Sequence, residues 1–203
     1  MPPNVNLFEL EGCLEGLDLF LEKHPKKSYV GEYGPLARRA LNNLKNHTAL
    51  TDASYTKWRL EIGEGKLAYK KLQRAYKRAQ RTLENAGAIG YPEDVVGYWD
   101  EEETVEGTGL MLEYLKEHQS SLDFAEGIVA ELSELLKHAG SEGQEADKAL
   151  TAYKKISGTR KLAMEDAIMA IDNLRRRIRD DIGREHADYK AIRWPAMVAP
   201  DPF

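Results

Sequence analysis

The sequence predicts an all-α protein: an elongated antiparallel helical bundle of about five helices, with three long helices and two shorter N-terminal ones. A heptad row over residues 55–83 is the main observation, because steps of three and four residues keep one helix stripe against a partner. Alternating charge between successive segments and the scarcity of β-branched runs agree with it. The row comprises Tyr55, Trp58, Ile62, Gly65, Tyr69, Leu72, Tyr76, Ala79 and Leu83.

The two shorter helices come first. Residues 6–23 predict one helix, and His24-Pro25 ends it because proline lacks an N–H and restricts the preceding residue. Its inward side chains are Leu7, Leu10, Leu14, Leu17 and Leu21, widened by Phe8, Cys13 and Phe20. Pro35 suits the first position of a second helix that ends near residue 46. Thr48, Thr51 and Asp52 are then candidate N-caps of the long third helix.

The remaining helices follow from turn and capping signals. Gly87 suits the end of the third helix, and Asp100 with Glu103 matches a capping box for a fourth helix over residues 101–138. Its apolar row includes Val105 and has a polar interruption at Gln119, with an irregular step near Leu122. The short segment 139–143 predicts a tight connection to a fifth helix over residues 144–190. We expect a kink, a polar layer or a phase shift at residues 157–160, where the apolar row weakens.

Charge alternates along the chain. Residues 55–86 carry nine basic and three acidic side chains, whereas residues 93–136 carry thirteen acidic side chains and one basic one. Residues 148–190 carry eleven basic and seven acidic side chains. Exposed ion pairs contribute only about 0–1 kcal/mol each, so this order favours a particular pairing of neighbouring helices more than it adds stability.

The whole chain limits the domain count and the compartment. Its 203 residues predict one helical domain over residues 1–194 and a non-helical C-terminal tail over residues 195–203. We find no repeat of fixed period. The single Cys13 fits a reducing compartment, and neither a signal-peptide pattern nor a membrane-spanning segment is evident, so we expect a cytoplasmic protein.

Catalytic and metal-binding patterns are missing from the sequence. A di-iron bundle needs Glu-x-x-His pairs, and none of the five histidines has a glutamate three residues before it. Glu134 and His138 share one helix face, which alone does not make a site. Cys13 stands among leucines, where a cysteine packs as a small apolar group. No phosphate-binding glycine motif or nucleophile motif occurs, so we expect no enzymatic activity, no cofactor and no metal.

The best candidates for function are two irregular apolar segments, because binding residues concentrate in loops. We expect them to bind a protein partner or a second copy of the chain. The first segment is the loop over residues 87–99, with the candidate partner-binding residues Tyr91, Val95, Tyr98 and Trp99. The second is the C-terminal segment over residues 194–203, with the candidates Trp194, Met197, Val198 and Phe203. The simpler interpretation is that both segments cover the ends of the chain's own core.

Two alternatives remain open. Two basic tracts could bind nucleic acid or an anionic membrane, although the acidic segment can neutralise them and neither is the expected partner. The residues of the first tract are Lys70, Lys71, Arg74, Lys77 and Arg78, and those of the second tract are Arg175, Arg176 and Arg179. Tyrosines at inward positions, which are Tyr55, Tyr69, Tyr76 and Tyr153, could instead line a ligand-binding or enzymatic pocket, although core packing is the favoured explanation. The sequence therefore predicts a non-catalytic structural or protein-interaction module that self-associates.

Overall fold

The all-α prediction is confirmed, although the helix boundaries differ from those expected. The computed structural model describes residues 7–92 and 100–195, and 85% of these residues are helical. The helices are α1 (Leu7–Lys23), α2 (Ser28–Asn85), α3 (Glu101–Glu117), α4 (Ala125–Ile182) and α5 (Ala187–Ala191). This described part contains no strand. Two helices of 58 residues stand where three long helices were predicted.

The predicted break at residues 47–52 is wrong, because α2 continues through it. Thr48 and Thr51, expected as N-caps, are interior residues whose hydroxyls donate to helix carbonyls four residues earlier. Thr48 Oγ1 lies 2.8 Å from the oxygen of Leu44, and Thr51 Oγ1 lies 2.7 Å from that of His47. This bond lets a threonine remain inside a helix although its side chain also favours caps.

The predicted helix start at Pro35 is also wrong, since α2 begins at Ser28 and contains the proline. A proline inside a helix clashes with the preceding residue and with the carbonyl of the residue four positions earlier. Both of those residues, Gly34 and Gly31, are glycines. Because Gly34 has no Cβ for the proline ring to meet, it can keep the helical conformation that the residue before a proline otherwise avoids.

The break between the fourth and fifth predicted helices is misplaced. The chain leaves the helix at residues 118–124, whereas residues 139–143 lie inside α4. Gln119 and the irregular step at Leu122 marked the true turn, and the glycines at 140 and 143 misled the prediction. α4 then ends at Ile182, earlier than expected, because Gly183 adopts a positive φ of 82°.

Two predicted helix ends are confirmed. Asp100 accepts from the backbone N–H of Glu103 at 2.8 Å, while the Glu103 side chain accepts from the backbone N–H of Asp100 at 3.2 Å. This capping box starts α3. Gly87 has a φ of 68°, and the following N–H, of Ala88, reaches the oxygen of Leu83 at 3.0 Å. The left-handed glycine therefore closes α2 as expected.

The chain forms two compact units, and each takes part of both long helices. Unit 1 comprises residues 1–54 and 152–203, and unit 2 comprises residues 55–151. The boundary of the tail predicted after residue 194 stays a prediction, since residues 196–203 lie outside the described part.

Unit 1 packs α1, the start of α2, the end of α4 and α5 around one aliphatic core. Lys27 pairs with Asp181, and Thr159 Oγ1 lies 3.4 Å from His47 Nδ1, so α2 and α4 run antiparallel in this unit. The His47–Thr159 contact is a polar layer at the segment where one was expected. Fully buried members of the core include Leu10, Cys13, Leu14, Leu17, Leu44, Ile171, Leu174 and Ile178.

Unit 2 packs the end of α2, all of α3 and the start of α4. Gln73 donates to the Thr104 hydroxyl at 2.9 Å, and the Tyr114 hydroxyl donates to the oxygen of Ile89 at 3.1 Å. From one contact to the other, the residue numbers increase on both sides, from 73 to 89 and from 104 to 114. The helix α3 therefore runs parallel to α2, whereas the sequence predicted antiparallel neighbours. The buried core of unit 2 includes Ala68, Leu72, Ala75, Tyr76, Ala79, Leu83, Met111, Leu115 and Leu132.

The chain contains an internal repeat that the sequence analysis missed. A helix of 17 residues followed by one of 58 residues occurs twice, as α1–α2 and as α3–α4. Nine of the 58 residues of α2 recur 95 positions later in α4, and six of them lie within residues 52–68. Asp52, Thr56, Gly63, Lys66, Leu67 and Ala68 match Asp147, Thr151, Gly158, Lys161, Leu162 and Ala163. Each short helix is also followed by a histidine whose ring lies against an aromatic ring four residues earlier, tilted in Phe20–His24 and stacked in Tyr114–His118.

Candidate interaction surfaces

The two predicted partner-binding segments are only partly described. Tyr91 is half-buried and packs on the core of unit 2, with its ring 6.4 Å from that of Tyr114. Trp194 packs on the core of unit 1, donating from Nε1 to the oxygen of Tyr189 at 3.2 Å. Both residues cover their own core, which agrees with the simpler interpretation of each segment. The other candidates lie outside the described residues: Val95, Tyr98, Trp99, Met197, Val198 and Phe203.

The second basic tract is engaged within unit 1. Arg175 donates to the Tyr189 hydroxyl at 3.3 Å, and its guanidinium lies 5.7 Å from the Trp194 ring centre. Arg176 pairs with Asp172, and Arg179 pairs with Asp180. These contacts engage the three cations within the unit while the Arg176 side chain stays 63% exposed, so anion binding by this tract stays a prediction.

The first basic tract remains accessible. Lys70, Lys71, Arg74 and Lys77 are exposed and form no ion pair with any residue of the described ranges 7–92 and 100–195. Arg78 differs, since it pairs with Glu131 of α4. The sequence predicted that the acidic segment neutralises this tract. Among the described contacts, the acidic segment pairs with only one of the five candidate residues, Arg78.

A groove in unit 2 is formed by glycines. The hydroxyl of Tyr69 lies only 3.0 Å from the position that a Cβ on Gly143 would take. Gly65 similarly faces the backbone oxygen of Glu142, 3.9 Å from its missing Cβ. Burial, followed by the nearby carboxylates of Glu101 and Asp147, raises the pKa of the Tyr69 hydroxyl. The small residues thus allow α2 and α4 to approach closely beside an aromatic ring.

The groove itself is open and has a volume of about 480 Å³. Trp58 and Tyr69 supply its aromatic wall, and Lys66, Glu101 and Asp147 supply charge. Of the four tyrosines that were expected inward, Tyr76 is buried and donates to the oxygen of Pro92 at 3.1 Å. Tyr55 is 42% exposed, so its predicted burial is wrong. Whether the groove takes a ligand stays a prediction.

A cluster of three carboxylates borders the same part of unit 2. Oxygens of Glu61, Glu64 and Glu142 lie within 4.8 Å of one another. Oxygen ligands suit hard cations such as Ca²⁺ or Mg²⁺. His138 Nδ1 lies 3.4 Å from a Glu142 oxygen and draws that side chain into a local pair. Nothing else among the described residues points to an ion, and the expected lack of a metal stays a prediction.

Cys13 fits the structural role expected of it. Its side chain is fully buried in the core of unit 1. Burial raises the pKa of the thiol to about 12, against a small opposing effect from the positive charge of Arg175. Because the thiolate is the reactive form, the native thiol is a poor nucleophile.

Several large apolar side chains point into solvent. Leu60 and Leu67 on α2 are 63% and 60% exposed, and Leu162 and Met169 on α4 are 61% and 58% exposed. Each pair is separated by seven residues, which places both members on one helix face. The sequence pattern did not predict these exposed positions, because the inward apolar row is the stronger signal in both helices. Phe8 and Val105, expected inward, are also exposed.

No helix in the described ranges has the length and apolar character that a membrane crossing requires. Comparisons with protein-family models, with curated proteins and with solved structures find no match.

Proposed function

We propose that this chain is a non-catalytic protein-interaction module that self-associates through its long helices. The observation that carries the proposal is the seven-residue spacing of exposed apolar side chains on α2 and on α4. Scattered surface leucines are ordinary in folded proteins. A heptad pair on a solvent face is different, because that spacing brings both side chains against a partner helix at once.

The free thiol of the only cysteine, Cys13, supports placing the module in the cytoplasm, where such a thiol stays reduced.

Light scattering on a size-exclusion column, run over a wide range of concentrations, tests the proposal. One chain has a mass of 23.0 kDa, so we expect a larger species that dissociates on dilution. The double variant Leu60→Glu/Leu67→Glu should shift the mass towards 23.0 kDa, because association would then bury glutamate carboxylates against a partner helix. The matched control is Leu19→Glu/Leu110→Glu, at two other leucines that are 61% and 51% exposed.

A wild-type chain of 23.0 kDa at every concentration would contradict self-association. A chain ending at residue 195 separates this surface from the predicted tail contact. If the shortened chain keeps the wild-type mass, the tail residues do not hold the assembly together. If it becomes monomeric while the leucine variant does not, the tail is the assembly element and the helix faces are not.

A second candidate function is binding to an anionic surface through the first basic tract. The exposed Lys70, Lys71, Arg74 and Lys77 favour it, since phosphate binding needs accessible cations. The net charge of −5 opposes it. Retention on a phosphate polymer or on anionic vesicles at low salt, lost as salt rises, would support this function. Passage through such a column without delay would exclude it.

A further inference from the structure

The two repeats keep the same residues on their solvent faces. At about 100° per residue, Asp52, Thr56, Gly63, Lys66 and Leu67 fall on one side of α2, opposite the buried Ala68 and Leu72. The matching residues of α4 occupy the same side of that helix, and both sets are exposed. Exposed positions accept most substitutions with little effect on stability. The Thr151 hydroxyl donates to the oxygen of Asp147 at 2.9 Å, so a contact within the chain accounts for that pair. The recurrence of the exposed Gly63, Lys66 and Leu67 instead agrees with a contact outside the chain.

The glycine in each set strengthens this point. A Cβ added to Gly63 or to Gly158 would meet no atom within 4 Å. Nothing within the described chain therefore requires glycine there, although glycine in a helix interior costs about 1 kcal/mol relative to alanine. Gly63 lies between Leu60 and Leu67 and leaves a notch between their side chains. A notch of this kind lets another helix approach closely.

The residues beside the repeated set differ in charge. Lys70 and Lys71 follow Leu67 on α2, and their matches in the second repeat are Glu165 and Asp166. All four are exposed, and none forms an ion pair within residues 7–92 and 100–195. We define the basic face as Leu60, Gly63, Leu67, Lys70 and Lys71, and the acidic face as Gly158, Leu162, Glu165, Asp166 and Met169.

Aligning the two faces in parallel brings opposite features together. With Gly63 opposite Gly158, Leu67 meets Leu162, and the two lysines meet the two carboxylates. The two like-charged lysines of the repeated set, Lys66 and Lys161, fall at the edge of each face, where they can turn to solvent. The acidic face also borders an open groove of about 440 Å³, whose rim includes Leu36 and Met169.

From this complementarity we infer that the basic face of one chain docks on the acidic face of a second copy. The inference rests on the proposed self-association and specifies its interface. Two notches at the same level let the helices cross closely, the leucines fill the space beside them, and the four charges select the register. Since the two faces are different surfaces, the contact either closes into a pair or continues from copy to copy.

A charge exchange tests this pairing directly. The variants Lys70→Glu/Lys71→Glu and Glu165→Lys/Asp166→Lys each place like charges across the contact. We expect each variant alone to associate at least tenfold more weakly than the wild type, and the equimolar mixture to recover the wild-type mass. The control is Lys26→Glu/Lys116→Glu, which changes the charge equally at two other exposed lysines. Circular dichroism and thermal unfolding verify that every variant folds.

The outcomes separate this inference from the function it specifies. Normal association by both charge variants, or a mixture that does not recover, would overturn the pairing and leave self-association standing. A wild type that is 23.0 kDa throughout would overturn both. If the lysine variant keeps its mass but loses retention on a phosphate polymer, the basic face serves an anionic ligand and the pairing is wrong.

Filling the notch gives an independent test. Gly63→Leu and Gly158→Leu should raise helix stability, because nothing in the chain occupies that space, and should weaken association at least tenfold. Gly12→Leu on α1 is the control, since it too has no atom within 4 Å and lies outside both faces. Unchanged association of both notch variants would show that no helix approaches there.

Discussion

The two units share a helix layout but differ in what their short helices bury. In α1 the inward side chains include Leu10 and Leu14, and the residues 94 positions later, at the same distance from the start of α3, are Thr104 and Thr108. The threonines are satisfied by hydrogen bonds, with Thr108 donating to the oxygen of Thr104 at 2.7 Å. Thr104 itself donates to the oxygen of Asp100 at 2.6 Å and accepts from Gln73. Unit 1 therefore depends on apolar burial where unit 2 depends partly on polar bonds.

This difference has an energetic consequence. Burying a leucine side chain contributes about 1.5–3 kcal/mol, whereas a typical internal hydrogen bond contributes about 0.5–1.5 kcal/mol. Unit 2 also keeps a glycine-lined groove where side chains could otherwise pack. We therefore expect unit 1 to hold the most stable part of the chain and unit 2 to open more readily, which leaves its surface better able to adjust to a partner.

The largest expected effect concerns the reactivity of thiols. Burial raises the pKa of Cys13 from 9.0 to about 12, so its thiolate fraction at neutral pH falls about a thousandfold. We expect an alkylating reagent to modify Cys13 only when unit 1 opens. A thiol placed in unit 2 by Thr108→Cys, in a Cys13→Ser background, should react faster. Equal rates measured by mass spectrometry, with denatured samples as the reference, would remove the proposed difference between the units.

A large change in stability is expected from the core of unit 1. Leu17 is fully buried, so Leu17→Ala should lower the free energy of unfolding by about 2–5 kcal/mol. Leu19→Ala, two residues away on the exposed side of α1, should change it by less than about 0.5 kcal/mol. Urea unfolding followed by circular dichroism measures both. A similar cost for the two variants would mean that α1 does not hold the core.

A smaller change in stability, which differs between two neighbouring glycines, is expected in unit 2. Gly140→Ala meets no atom within 4 Å, so it should stabilise α4 by up to about 1 kcal/mol. Gly143→Ala should lose this gain, because its Cβ would lie 3.0 Å from the Tyr69 hydroxyl. Adding Tyr69→Phe should restore the gain. A stabilising Gly143→Ala by itself would show that the groove can relax without cost.

The smallest effect is a pH dependence in unit 1. A hydrogen bond from Lys27, with another from Tyr29, holds the pKa of Asp181 below its usual value. A carboxylate whose pKa is lowered by folding stabilises the fold above its unfolded pKa, and this contribution disappears as the pH falls through the folded value. Asp181→Asn should therefore reduce the acid sensitivity of unfolding below about pH 4. Identical pH profiles for the variant and the wild type would contradict it.

The sequence predicts the core better than it predicts the helix ends. The heptad row from Gly65 to Leu83 is inward as expected, because a regular spacing of apolar residues directly reflects burial on one helix face. Helix ends were missed wherever one residue type has two structural uses. Thr51 can cap a helix or bond within one, and Gly143 can break a helix or allow close packing. Only the neighbouring chain decides between these uses.

The candidate surfaces were less predictable for a related reason. The residue type of Leu67 alone predicts a buried side chain. Its exposure can be predicted only when the neighbouring helices determine which face of α2 is inward. Lys70 was predicted as an anion-binding candidate, and its exposure agrees, but its match with Glu165 required the repeat to be recognised. The sequence around Leu67 or around Lys70 therefore does not predict what either side chain contacts.

The division of the chain into units also has a consequence for synthesis on the ribosome. Residues 55–151 form an uninterrupted segment, so all of unit 2 has been made before unit 1 is complete. The leucine face of α1 is among the first parts to emerge, yet its partners Ile171, Leu174 and Ile178 are added much later. Contacts between residues so far apart form slowly. The larger aliphatic core is thus expected to be assembled last, and until then the nascent chain presents its most apolar helix to whatever surrounds it.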